Sequence, residues 1–166
     1  MFDFKGVVGR MEEIKTGQDF RVFIDFAHTP NALENALRTL KTLKPNKLIA
    51  VFGCAGLRDK TKRPIMGRIA CQLADKIVFT AEDPRTEDIN QIIEEIAKAC
   101  KNKAKIYKEP DRQKAINFAI IKLAQKGNIV GIFGKGHEQS MCFGKKEYPW
   151  SDNKAVKKAL KKLKEI

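Results

Sequence analysis

Five short apolar runs, each followed at once by a loop of polar residues or glycine, constrain this chain more than any other feature. Val22-Phe23-Ile24 leads into residues 25–30, residues 48–52 into 53–63, and Ile77-Val78-Phe79 into 82–87. Ile106-Tyr107 leads into Glu109-Pro110-Asp111, and residues 129–133 into 134–138. The stretches between carry helical spacing, as in Ala32, Leu33, Ala36, Leu37, Leu40, which follows Pro30 in an opening turn where its missing N–H costs nothing. Near-continuous apolar runs suit strands covered on both faces. The pattern predicts strands over 21–26, 47–52, 76–80, 105–107 and 128–133. It predicts helices from Pro30, from Pro64 with Ile65, Ile69, Ala70 and Leu73 inward, and over 89–100, 111–125 and 152–164.

Strict alternation of this kind gives an α/β fold, a three-layer Rossmann-like sandwich with a mostly parallel sheet of about six strands. Phe26, Phe52, Phe79 and Phe133 end strands and are expected in the core. Residues 1–18, with Gly6, Gly9 and Gly17, read as an irregular segment, hairpin or linker, and residues 19–166 as the domain. Ligands of open parallel sheets bind beyond the carboxyl ends of the strands. The five loops therefore mark a site before any motif is named.

A length of 166 residues suits one domain with a real core. The net charge of +13 invites anionic partners, but the lysines fall singly on solvated helix faces, six of them on the terminal helix, without the interleaved aromatics of a single-strand binder. That weighs against nucleic acid. Cys54, Cys71, Cys100 and Cys142 form no CxxC pair, so neither zinc nor a disulfide is expected, and a reduced, cytoplasmic protein fits. No targeting segment or membrane span is expected either.

Gly53-Cys54-Ala55-Gly56 and Gly131-Ile132-Phe133-Gly134-Lys135 both miss the Walker spacing, and no G-x-G-x-x-G is present. Self-sufficient nucleotide chemistry is thus not indicated. The loops instead mix fixed charges of both signs, Arg63, Glu82, Asp83, Arg85, His137 and Glu138, with Gly134 and Gly136 allowing close backbone approach. Arginine forks grip carboxylates and carboxylates accept ammonium protons, so a zwitterion such as an amino acid matches better than a polyphosphate.

Several stretches together carry a resemblance: residues 6–12 (GVVGRME), 25–33 (DFAHTPNAL), 52–59 (FGCAGLRD), 62–67 (KRPIMG), 82–88 (EDPRTED) and 134–138 (GKGHE). In this order they resemble the C-terminal domain of Mur ligases, of the type that adds diaminopimelate or lysine to UDP-N-acetylmuramoyl-L-alanyl-D-glutamate. The resemblance implies ATP-dependent amide formation through an acyl phosphate. It also implies that the P-loop, the magnesium-organising lysine and the UDP-binding module belong to central and N-terminal domains absent from these residues. ATP and Mg2+ would serve the full-length ligase, none would be held by this domain alone, and the isolated domain would not turn over.

By the same resemblance, Arg63, Glu82, Asp83, Arg85, Gly134 and Glu138 would hold the incoming meso-diaminopimelate or L-lysine. Arg85 would take its distal carboxylate, and Glu138 with the Gly134 carbonyl its distal ammonium. Arg10, Asp25 and His28 would face ATP, with Arg10 toward phosphate and Asp25 toward ribose. No residue is assigned to the chemical step itself, and none to a metal. The family's diaminopimelate motif reads Asp-Asn-Pro-Arg where this chain has Glu82-Asp83-Pro84-Arg85. Arg85 favours diaminopimelate, whereas the extra charge of Asp83 would welcome an ammonium instead. Simpler readings stand beside these: His28 or His137 as a packing or turn residue, Arg85 as a surface ion pair, and Arg58-Asp59 as a loop-fixing pair. Two other functions remain open, a folylpolyglutamate-type ligase domain and a basic nucleic-acid-binding domain.

Overall fold

The computed structural model of the protein describes residues 7–101 and 104–166; Gly6, the first residue of the N-terminal motif, lies outside them. Its strands are β1 (Glu12–Ile14), β2 (Arg21–Asp25), β3 (Leu48–Phe52), β4 (Lys76–Phe79), β5 (Lys105–Lys108), β6 (Ile129–Phe133), β7 (Ser140–Phe143) and β8 (Lys146–Pro149). The helices are α1 (Pro30–Thr42), α2 (Lys62–Leu73), α3 (Ile89–Ala97), α4 (Arg112–Asn117), which runs on as a π-helical turn (Phe118–Leu123), and α5 (Asp152–Lys164). The main sheet has the order β1-β2-β6-β3-β4-β5, and β7 and β8 form a separate hairpin. Every pairing in the main sheet is parallel except that of β1 with β2.

Successive side chains of a strand point to opposite faces, and here both faces are covered. Leu48, Ala50 and Phe52 of β3 pack with α1, α2 and α3, while Ile49 and Val51 pack with α4, its π turn and α5. This is why the central strands read as unbroken apolar runs. The helix starts carry ordinary caps: Thr29 Oγ1, Asp111 Oδ1 and Ser151 Oγ accept backbone N–H groups from Ala32, Lys114 and Lys154.

Several expectations need correction. Glu12–Ile14 pair with Val22–Ile24 as an antiparallel edge of the sheet, so the fold begins ahead of residue 19. Phe26 lies beyond β2 and is half-buried rather than in the core. Helix α2 buries Arg63, Met66, Gly67, Ala70 and Cys71 and leaves Ile65 exposed, a stripe rotated from the one its aliphatic residues suggested. Cys71 and Cys100 form a disulfide, with Cα atoms 5.5 Å apart, where none was expected. The β7–β8 hairpin carried no strand signal, because β8 is exposed along its whole length and shows no alternation.

Candidate functional site

The chain lays β2 at one side of the sheet, passes over the slot later filled by β6, builds β3, β4 and β5 outward, and returns to insert β6. That reversal of order opens a crevice at the carboxyl ends of the strands. Four of the five loops meet there, around a cleft of about 580 Å³. It is lined by Phe26, His28, Thr29 and Pro30 after β2, by Ala55, Arg58, Asp59 and Lys62 after β3, by Glu82, Asp83 and Arg85 after β4, and by Gly134 and Glu138 after β6. The fifth loop, Glu109-Pro110-Asp111, stands apart and caps α4.

The loop after β4 is the most constrained. Asp83 and Arg85 adopt φ of 42° and 53°, left-handed values that side chains rarely take, on either side of Pro84. The β7–β8 hairpin fixes the backbone of Arg85: its N–H donates to the Cys142 carbonyl at 3.1 Å and its carbonyl accepts from the Gly144 N–H at 2.8 Å. A guanidinium N–H of Arg85 donates to the Gly56 carbonyl at 2.8 Å, which aims the fork across the cleft.

Charge is distributed unevenly among the loop side chains. Asp83 is not a free anion: it accepts from the buried Lys135 ammonium at 2.9 and 3.0 Å and from the Cys142 N–H at 2.8 Å. Lys135 also reaches Glu138, at 2.5 Å. The negative charge that replaces the amide of the family motif is therefore balanced within the protein. Glu82 is 6% exposed, its Oε2 has no hydrogen-bond partner, and burial pushes its carboxyl up to about 7. It lies directly against Gly134, where a Cβ would stand 2.3 Å from that oxygen. Gly134 also has φ of 110°, so glycine is required there twice over.

Arg63 does not join the cleft. It is fully buried, donates to Glu87 at 2.7 and 3.2 Å, to Glu95 at 2.7 Å and to the Ala55 carbonyl at 3.1 Å, and so braces the loops from behind. The hydrogen bond from Arg63 is the main cause holding the Glu87 carboxyl down at about 2. Arg58, read from sequence as half of a loop-fixing pair, lines the cleft instead, and Asp59 caps Thr61 at 2.8 and 2.6 Å. Sequence reasoning also missed Lys62, whose ammonium donates to the His28 carbonyl at 2.7 Å, and Arg112. The fully buried Arg112 forks onto Asp152 with two 2.8 Å bonds and caps the Ala81 and Phe133 carbonyls at 2.9 and 3.0 Å, tying the ends of β4 and β6 together beneath the cleft.

Arg10, Asp25 and His28 come together beside the main cleft around a cavity of about 150 Å³ that they share with Phe26. Arg10 lies 6.0 Å from the Phe26 ring. Asp25 accepts N–H groups of Met11 at 2.9 Å and Ala27 at 2.8 Å, pinning the N-terminal segment to the end of β2. His28 Nδ1 lies 2.9 Å from the Phe26 carbonyl. His137 is exposed, its ring 5.1 Å from that of Phe26.

A family profile described as Mur ligase, glutamate ligase domain, matches residues 9–136. The chain is similar to a UDP-N-acetylmuramoyl-L-alanyl-D-glutamate--2,6-diaminopimelate ligase of Bacillus licheniformis, 46% identical over 160 residues, covering 96% of this chain and 32% of the relative. A protein of the same name from Synechocystis sp. is 44% identical over 162 residues, again 96% of this chain and 32% of the relative. A solved structure bearing that enzyme name superposes with a TM-score of 0.87 at 37% identity, over 95% of this chain and 32% of the other. The chain thus spans about a third of the length of the curated relatives it matches. No helix among the described residues is long and apolar enough to cross a membrane.

Proposed function

Because the chain belongs to the Mur ligase family, as a glutamate ligase domain, we propose that it docks the incoming amino acid for an ATP-dependent ligase that extends UDP-N-acetylmuramoyl-L-alanyl-D-glutamate with meso-diaminopimelate. The observation that carries this reading is the cleft, in which Arg58 and Arg85 face Glu82, Glu138 and Gly134 from three strand ends. Arg85 takes the distal carboxylate of the diamino acid with Arg58 as a second cation, and Glu138 with the Gly134 carbonyl takes the distal ammonium. Glu82 and the Lys135-balanced Asp83 complete the wall.

ATP, with Mg2+, supplies the phosphoryl group that activates the D-glutamate carboxylate. The small cavity at Arg10, Asp25 and His28 fits the edge of such a nucleotide and not the whole, with Arg10 toward phosphate and Asp25 toward ribose. The nucleotide's main site and the UDP grip are assigned to central and N-terminal domains beyond these residues. What this chain contributes is orientation: holding the amine near an acyl phosphate turns a bimolecular step into an effectively unimolecular one. Closure of the domains would complete the site and exclude water.

Diaminopimelate is favoured over L-lysine because lysine offers one carboxylate to two arginines, and because Lys135 cancels the charge of Asp83 that would have argued for a second ammonium. The names of the relatives at 44 and 46% identity support a cell-wall ligase over a folylpolyglutamate-type ligase or a nucleic-acid-binding domain. An amide-shift NMR titration with meso-diaminopimelate, L-lysine and a DNA duplex tests this. Saturable shifts at Arg85, Gly134 and Glu138 with diaminopimelate are expected. Arg85→Ala should weaken diaminopimelate about 10- to 100-fold, the range of a charge-assisted hydrogen bond, and lysine far less. Equal losses for both would remove the role given to Arg85.

A further inference from the structure

Glu82 stands out because the protein leaves it unsatisfied. Its Oε2 is buried without a partner although three cations lie close enough to act on it through charge: Arg112, Lys62 and Lys135. Each of the three hydrogen-bonds elsewhere, Arg112 to Asp152 and two carbonyls, Lys62 to the His28 carbonyl, and Lys135 to Asp83 and Glu138. Asp83 pushes in the other direction, against ionisation. A buried carboxylate oxygen with no donor costs several kcal/mol, so the empty cleft favours the protonated acid. Its place, against the bare Cα of Gly134 in the cleft wall shared with Glu138, is where the docking reading seats the substrate's distal ammonium.

We propose that amino-acid docking in this cleft is proton-linked: the arriving ammonium supplies the missing partner, and Glu82 releases its carboxyl proton to solvent as it pairs with that cation. The inference rests on the docking reading. The balance is simple, one O–H bond of Glu82 broken, one proton to buffer, and the substrate nitrogen still an ammonium. Below about pH 7 Glu82 is thereby kept largely neutral without the ligand, and its full anionic character appears with the cation in place. A carboxyl poised at about 7 puts the transition inside the physiological range.

Calorimetric titration of the 166-residue chain with meso-diaminopimelate, in pairs of buffers of different ionisation enthalpy, reads the released proton directly. At about pH 6 the expected release approaches one proton per ligand, shrinking toward zero by about pH 8.5, with affinity falling up to about tenfold per pH unit below neutrality. Glu82→Gln, nearly isosteric and neutral, should abolish the release and flatten the pH dependence, whereas Glu109→Gln, at a carboxylate of the loop that stands apart from the cleft, should leave both in place. An amide spectrum confirms that each variant is folded. Binding without release at pH 6, or release that survives in Glu82→Gln, would overturn the linkage alone. Failure of the unaltered chain to bind diaminopimelate at any pH would overturn the docking reading and the linkage with it.

Discussion

Four arginines stand in or behind the main cleft, and they divide into two pairs. Arg63 and Arg112 are fully buried and turn their forks to protein oxygens: both terminal nitrogens of Arg63 on Glu87, Glu95 and Ala55, with its Nε left unpaired, and all three nitrogens of Arg112 on Asp152, Ala81 and Phe133. Arg58 and Arg85 line the cleft, and the side-chain bonds of Arg85 go to the Gly56 carbonyl at 2.8 Å and, weakly, to the Asp83 carbonyl at 3.5 Å, all from one nitrogen. A guanidinium carries five donors in a fixed fork. One whose fork is occupied builds the wall; one whose fork is open can meet a ligand. The same residue type thus serves scaffold and site around one cleft, and burial together with the count of occupied donors separates the two.

The sharpest way to break this division is Arg112→Ala. It leaves Asp152, which is 0% exposed, without its counter-charge and two strand-end carbonyls without donors. Removing one partner of a buried pair costs about 3–5 kcal/mol. Urea unfolding should show that loss, and a cost under about 1 kcal/mol would mean that Arg112 is no scaffold.

Arg63→Ala should cost less, about 2 kcal/mol, because Glu87 and Glu95 keep 14% and 31% side-chain exposure and can recover water. Its signature is in the pH dependence. Glu87 is held down at about 2 against an ordinary 4.5, so its contribution is present above about pH 4.5 and is lost as pH falls toward 2. Arg63→Ala should erase that acid-side loss. Glu82, in the same loop, runs the opposite way: raised to about 7, it favours folding below about pH 4.5, and that contribution is lost as pH rises through 7. Unfolding free energies of both proteins at about pH 3, 5 and 8 separate the two effects; an acid limb unchanged in the variant would detach Glu87 from Arg63.

Much of the fold could be read in advance because buried parallel strands are apolar without interruption and their crossover helices carry a 3.6-residue stripe. What escaped was short or exposed: the three-residue β1, and the β7–β8 hairpin with its two four-residue strands. The site was legible at the level of loops, since strand ends place loops whatever their residues. It was not legible at the level of donors. Arg63 was assigned to the ligand because it sits in a motif, yet its spacing with Met66, Gly67 and Ala70 at i, i+3, i+4 and i+7 already placed it on the buried stripe of α2. The pairing of Lys135 with Asp83, 52 residues apart, had no local signal at all.

Arg58→Ala should change stability least, within about 0.5 kcal/mol, since it replaces an exposed loop side chain. Yet it should still weaken diaminopimelate binding, and that combination is the mark of an open fork. If Arg58 and Arg85 act on separate oxygens of the ligand, the losses of the two single variants should add in the double variant; if they grip one carboxylate together, the second removal should cost less than the first. Lysine discriminates further, because a ligand with one carboxylate cannot lose two independent grips. A variant that binds diaminopimelate as tightly as the unaltered chain would return Arg58 to the surface, and leave Arg85 as the single open fork of the pair.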